Sequence, residues 1–275
     1  GLKGGHSGME IIKERGNSNK ILGRILKDLS NNVDFRIVSL NGGSKDNAIP
    51  READAIIAIN PNDLNNVKEI VANWKEVLVN ELRVQDPGVN VLVSEEVEQV
   101  TEAFDKISTI KAINLLVLIP NGIKTKSFSI ENLVQSSCNL GVVTTTNNNV
   151  QYDSAVRSSV KTLKNAIIEE SRTIAEIIGC EFRTVADYPE WEFNPESKVR
   201  EVFKDVYKRM YGKDANIVAI HAGVECGILS ENLGGLDMIS FGPNMYDVHT
   251  PEEHLSIKSV SNMWDYLKEV LKELK

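Results

Sequence analysis

The spacing of apolar residues divides the chain into segments of distinct period. From Ser18 to Leu29 the apolar positions Ile21, Leu22, Ile25, Leu26 and Leu29 recur at helical spacing. Residues 35–40 and 53–59 read as strands, joined through Asn41-Gly42-Gly43 and Asn47-Ala48-Ile49-Pro50. Pro61-Asn62-Asp63 opens a helix expected to run to about Val84, and residues 89–93 read as another strand. With a weak strand somewhere in residues 1–12, the order is strand, helix, strand, strand, helix, strand, a split βαβ unit. A fainter copy follows: helix at 100–115, strands at 133–146 and 151–157, helix at 160–178, strand at 181–186. Two such α+β units predict one broad sheet with helices on one face.

The pattern changes at Tyr188-Pro189-Glu190-Trp191, which sets the expected boundary between residues 1–187 and residues 188–275. Beyond it, Val199, Val202, Phe203, Val206 and Met210 predict an amphipathic helix stopping at Gly212. Residues 217–220 and 238–241 read as short strands, and a final helix from Ser256 is expected to bury Val260, Trp264, Leu267 and Leu271. This tail is α/β in pattern, yet thin for a core of its own. It is expected to complete a sheet whose other strands lie upstream.

Composition narrows the function. The 275 residues carry a net charge of −8, and no basic patch stands out to neutralise phosphates, so a nucleic-acid partner is not expected. No apolar run approaches the ~20 residues that span a bilayer. The three cysteines, Cys138, Cys180 and Cys226, are scattered without CxxC spacing, as in a reducing, cytoplasmic compartment.

Candidate chemistry rests on few residues. His249 follows an apolar strand and a Gly-Pro turn, where a neutral imidazole suits zinc; a turn histidine capped by Asp247 fits the same pattern. His221 opens HAGVECG, in which two glycines bracket Glu225 and allow a ligand to approach the backbone. Glu225 suits a substrate ammonium, while Cys226 reads as a small buried filler. His6, among the glycines of GLKGGHSG, is placed either to donate to a developing oxyanion or to sit solvated on a bulge. Asn139 lies within an apolar strand, where its amide needs partners, and Arg157 ends another and suits a carboxylate; a bulge and a surface ion pair explain them equally.

Taken together, GLKGGHSG (1–8), RGNSNKIL (15–22), NAIPREA (47–53), SSCNLG (136–141), AVRSS (155–159), HAGVECG (221–227), DMISFGP (237–243) and HTPEE (249–253) resemble the aminoacyl-histidine dipeptidases. These are relatives of carnosinase within the zinc-peptidase superfamily. The resemblance implies a lid and dimerisation domain over residues 1–187 and the C-terminal segment of a catalytic domain over 188–275. It implies hydrolysis of Xaa-His dipeptides of the β-Ala-His kind by a cytoplasmic homodimer using two divalent metal ions, zinc by the habit of the superfamily. His249 then matches a metal ligand, and His6 a lid histidine reaching the substrate carbonyl. Asn139 and Arg157 match substrate-holding lid positions, with Glu225 in a substrate-proximal loop.

The family's His-x-Asp motif, bridging Asp and Glu-Glu pair lie before the lid and are not in these residues. Since the chain starts at Gly1 inside a motif, the expectation is a fragment inactive by itself. The alternatives are a non-catalytic lid-like binding module, or a sister peptidase or amidohydrolase.

Overall fold

The computed structural model describes all residues except 96–99, 129, 131, 220–224 and 247–251. The chain forms two compact units that divide between Asp187 and Tyr188.

In the first unit the chain order is β1 (Gly5–His6), α1 (Ser18–Asn32), β2 (Phe35–Gly42), β3 (Ala48–Ile49), β4 (Ala53–Ile59), α2 (Leu64–Glu81), α3 (Lys106–Leu118), β5 (Gly122–Lys126), β6 (Val134–Thr145), β7 (Val150–Ser158) and α4 (Lys161–Ile178). Five strands make one antiparallel sheet built around β6. One edge of β6 takes β7 along nearly its whole length, from Ser136↔Ser158 to Thr145↔Val150. The other edge takes β5 at its start and β2 at its end, through Asn41↔Thr144 and Gly42↔Val143. Strand β4 pairs with β2 outside it, and β1 and β3 form a separate two-stranded ribbon.

The core lies between this sheet and its helices. Ile25, Leu26 and Leu29 of α1, Leu78 of α2, and Ile113 and Leu116 of α3 pack with Ile37, Leu40 and Leu140 of the strands. Several of these are fully buried, so truncating one to Ala is expected to cost about 2–5 kcal/mol. Helix starts are set by side chains that accept the orphan N–H groups: Asn17 accepts from Lys20 and Asp105 from Ser108. The Asp105 cap places the start of α3 six residues later than apolar spacing suggests. Residues 89–93 and 181–186 join no ladder, although both were read as strands. The Val89 N–H turns back to Asp86, and Leu92 and Val185 are 80% and 78% exposed. Strand β5, Gly-Ile-Lys-Thr-Lys, is too short and polar to be seen by alternation.

In the second unit, α5 (Lys198–Tyr211) packs against a later helix through a small aromatic core. After α6 (Glu225–Asn232) come β8 (Met245–Tyr246), β9 (His254–Leu255) and α7 (Ile257–Glu273). Phe203 and Val206 of α5 meet Tyr266 and Val270 of α7, and the Tyr266 hydroxyl donates to the Phe203 carbonyl at 2.6 Å. The buried stripe of α7 is therefore Tyr266 and Val270, whereas Trp264 and Leu271 are 57% and 55% exposed. Helical spacing is shared by both stripes, and only contact with α5 selects between them. Residues 217–219 and 238–241 form no ladder; α6 was not foreseen in the sequence.

Candidate functional site

The N-terminal loop is shaped by glycine. Gly4 and Gly5 take φ of 63° and 141°, conformations open to residues without a Cβ. A Cβ at Gly4 would also lie 2.8 Å from the Ile49 carbonyl oxygen. This turn delivers His6 into register with Ala48 on the β1–β3 ribbon, and the Ser7 N–H donates to the Asn47 carbonyl at 2.9 Å.

The His6 ring is oriented by its own loop. Its Nδ1 accepts from the backbone N–H of Gly8 at 3.2 Å and of Met9 at 3.1 Å. With Nδ1 used as an acceptor, the neutral ring carries its proton on Nε2. The backbone N–H of His6 donates to Glu10 Oε2 at 3.0 Å. Hydrogen bonding from Lys13, then from His6, holds the Glu10 carboxyl below its usual range. Arg15 Nη1 ties the loop down by donating to the Gly4 carbonyl.

Arg157 comes to the same loop from β7. Its Nε donates to Ser7 Oγ at 3.4 Å. Around Gly8, a Cβ would stand 3.0 Å from His6 Cε1 and 3.4 Å from Arg157 Nε. The imidazole and the guanidinium thus both lie within contact of one point beside Gly8, where a side chain would crowd the imidazole. Arg157 is half-buried, and burial lowers its pKa, opposed by Asp46. Among the described residues no carboxylate lies within ion-pair distance of it, so a partly desolvated cation is left able to bind an anion.

Asn139 sits close by in β6 and is 1% exposed. Its Nδ2 donates to the carbonyls of Asp46 and Ala48, both at 2.8 Å, and its Oδ1 accepts from Asn17 Nδ2 at 3.3 Å. Between those two carbonyls stands Asn47, whose side chain is exposed beside the His6 loop. Asn47 was not singled out in the sequence, where NAIPREA carries no periodic signal. Its closeness to His6 follows from the β1–β3 register alone.

The remaining expected residues belong to the second unit. Glu225 is exposed in the first turn of α6. The Cys226 thiol beside it is pushed up, by burial first and then by Glu225. In sequence, His249 falls between β8 and β9, which pair through Tyr246↔His254; both His249 and His221 lie outside the described residues. Among the described residues no three His, Cys, Asp or Glu side chains come together, so they do not by themselves fit a two-metal centre. No helix among them is long and apolar enough to cross a membrane.

Similarity to known proteins covers the whole chain. Residues 1–86 match the family described as the peptidase dimerisation domain, M20_dimer. The cytosol non-specific dipeptidase of Escherichia coli (strain K12) is 36% identical over 279 residues, covering 100% of this chain and 56% of that protein. The crystal structure of aminoacylhistidine dipeptidase from Vibrio alginolyticus superposes with a TM-score of 0.93 at 35% identity, covering 99% of this chain and 56% of that one. The chain therefore spans about half the length of the relatives it matches. With the motifs in order, the fold shared and the His6–Arg157 loop in place, the chain matches the aminoacyl-histidine dipeptidase (peptidase D) proteins along its whole length.

Proposed function

We propose that the protein carrying this chain is a metal-dependent dipeptidase acting on Xaa-His dipeptides of the β-Ala-His kind. The observation that carries the reading is the pair beside Gly8: an imidazole with its proton on Nε2 and a half-buried guanidinium without an ion-pair partner among the described residues. A dipeptide offers complementary groups, a carbonyl that becomes an oxyanion during attack and a terminal carboxylate. Arg157 takes the carboxylate, which fixes the substrate before reaction. His6 donates from Nε2 to the carbonyl oxygen, an interaction that strengthens as negative charge develops there. Glu225 receives the substrate ammonium.

His249 is proposed as one ligand of two divalent metal ions, with the other ligands supplied from outside these residues. When bound, such ions polarise the carbonyl and activate a water. The match to a peptidase dimerisation domain supports a homodimer, and the name of the Escherichia coli relative supports a cytosolic setting. The names of the two relatives differ in breadth of substrate, so the Xaa-His preference rests on the motif resemblance. In this reading the 275-residue chain alone is inactive.

The test is the coding sequence upstream of Gly1. A continuous frame with His-x-Asp after an apolar strand and a Glu-Glu pair further on supports the metallopeptidase. A frame lacking those acids reduces the chain to a lid-like binding module and ends the hydrolase reading.

A further inference from the structure

We infer that Asn139 is a positioning residue, which sets the His6 loop through the backbone of Asp46–Ala48 and makes no contact with substrate. The inference rests on the reading of His6 as the donor to the reacting carbonyl.

Both donors of the Asn139 amide and one acceptor direction of its oxygen are engaged inside the protein. Both N–H groups of Nδ2 are aimed at carbonyl oxygens, those of Asp46 and Ala48 at 2.8 Å. The orientation is forced, because a flipped amide would place its oxygen against the same two carbonyls. Oδ1 points the other way and accepts from Asn17 Nδ2. Asn17 shares that amide with Asn121 Oδ1 at 2.9 Å and the Leu140 carbonyl at 3.0 Å, while its own Oδ1 caps α1. Asn121 Oδ1 in turn accepts from the Leu140 N–H at 3.0 Å. The three asparagines thus lock the start of α1, the middle of β6 and the Asp46–Ala48 segment into one network.

That segment determines where His6 stands. Ala48 is the register partner of His6, and Asn47 accepts from Ser7. Asn139 also lines a cavity of about 190 Å³ with Arg15, Asn17, Asn121 and Ile49, a cavity whose lining includes neither His6 nor Arg157. No residue but Asn or Gln offers two donors and an acceptor in one planar group, and the longer Gln does not match a side chain that is 1% exposed.

The experiment is a double-mutant cycle in the enzyme made from the complete reading frame, with kcat and KM measured for a dipeptide that it hydrolyses. His6→Ala is expected to lower kcat by roughly 100-fold, the usual effect of removing an oxyanion donor. Asn139→Ala is expected to lower kcat by about 30-fold with KM little changed, and by less than about 3-fold in the His6→Ala background, because residues acting through one another are not additive. Asn139→Ser, which keeps one donor, is expected to recover part of the lost kcat. It also carries the same comparison if Asn139→Ala does not fold.

Equal losses in both backgrounds would overturn the inference and make Asn139 a direct substrate contact. An Asn139→Ala enzyme with unchanged kcat would overturn it as well. If His6→Ala leaves kcat unchanged, the His6 reading itself fails and this inference falls with it, an outcome that the single variant reports separately.

Discussion

Replacing Asp86 is the perturbation whose cost follows most directly from the geometry. Its carboxylate is fully buried and receives two backbone N–H groups: Lys3, which leads into the His6 loop, and Gly16, which leads into α1, each at 2.7 Å. A hydrogen bond to a charged acceptor is worth about 1.5–3 kcal/mol, and a buried N–H left unmet costs about 1–3 kcal/mol. Asp86→Asn keeps one acceptor but turns an NH₂ toward the second N–H, so about 3 kcal/mol is expected to be lost. Asp86→Ala strands both N–H groups and is expected to cost about 4–6 kcal/mol. For a unit of this size each kcal/mol moves the midpoint by roughly 2–4 °C, so Asp86→Asn is expected to unfold the first unit roughly 6–12 °C lower. Thermal unfolding followed by circular dichroism and by calorimetry reads this shift. An Asp86→Asn midpoint within about 2 °C of the parent would refute the reasoning, because the two N–H groups would then have found other acceptors.

Three further outcomes are expected. Lys20 Nζ donates to the carbonyls of Leu116, Val117 and Ile119 at the end of α3, and burial pushes its pKa down to about 8 from 10.5. The folded state then binds fewer protons than the unfolded chain between those values, so stability attributable to Lys20 rises with pH from about 8 toward 10.5. Urea titrations from pH 7.5 to 9.5 should show this slope in the parent and not in Lys20→Met; equal slopes would contradict it. Long-range ¹H–¹⁵N spectra of His6 should report the neutral ring protonated at Nε2, and a proton on Nδ1 would break the proposed donor geometry. Arg157→Met in the hydrolytic enzyme should raise KM by about 30-fold or more, since removing one partner of a buried charge pair costs about 2–5 kcal/mol. An unchanged KM would place the substrate carboxylate elsewhere.

Much of the fold was legible because burial imposes a period. The stripe Ile21, Leu22, Ile25, Leu26 and Leu29 faces one core, and α1 stands where that stripe predicts it. Strands β2, β4, β6 and β7 were visible for the same reason. Where tertiary contact decides, the sequence was mute. Nothing local separates Trp264 from Tyr266 as the inward residue of α7, because the choice depends on α5. Residues 89–93 and 181–186 have strand composition, but a strand also needs a neighbour for its ladder. The candidate site residues were singled out by motif resemblance and not by spacing. His6 and Arg157 are 151 positions apart and meet only because β1 pairs with β3 and β7 runs beside β6. The commitment of Asn139 to the Asp46 and Ala48 carbonyls has no signature in sequence, since those partners lie 93 and 91 residues away.

The most direct test of the account is dipeptide hydrolysis by the protein made from the complete reading frame, assayed with β-Ala-His and α-linked Xaa-His before and after treatment with a chelator. The expected result is release of histidine that the chelator abolishes and added zinc or another divalent ion restores. Absence of hydrolysis in the metal-loaded complete protein, or hydrolysis indifferent to the chelator, would contradict it.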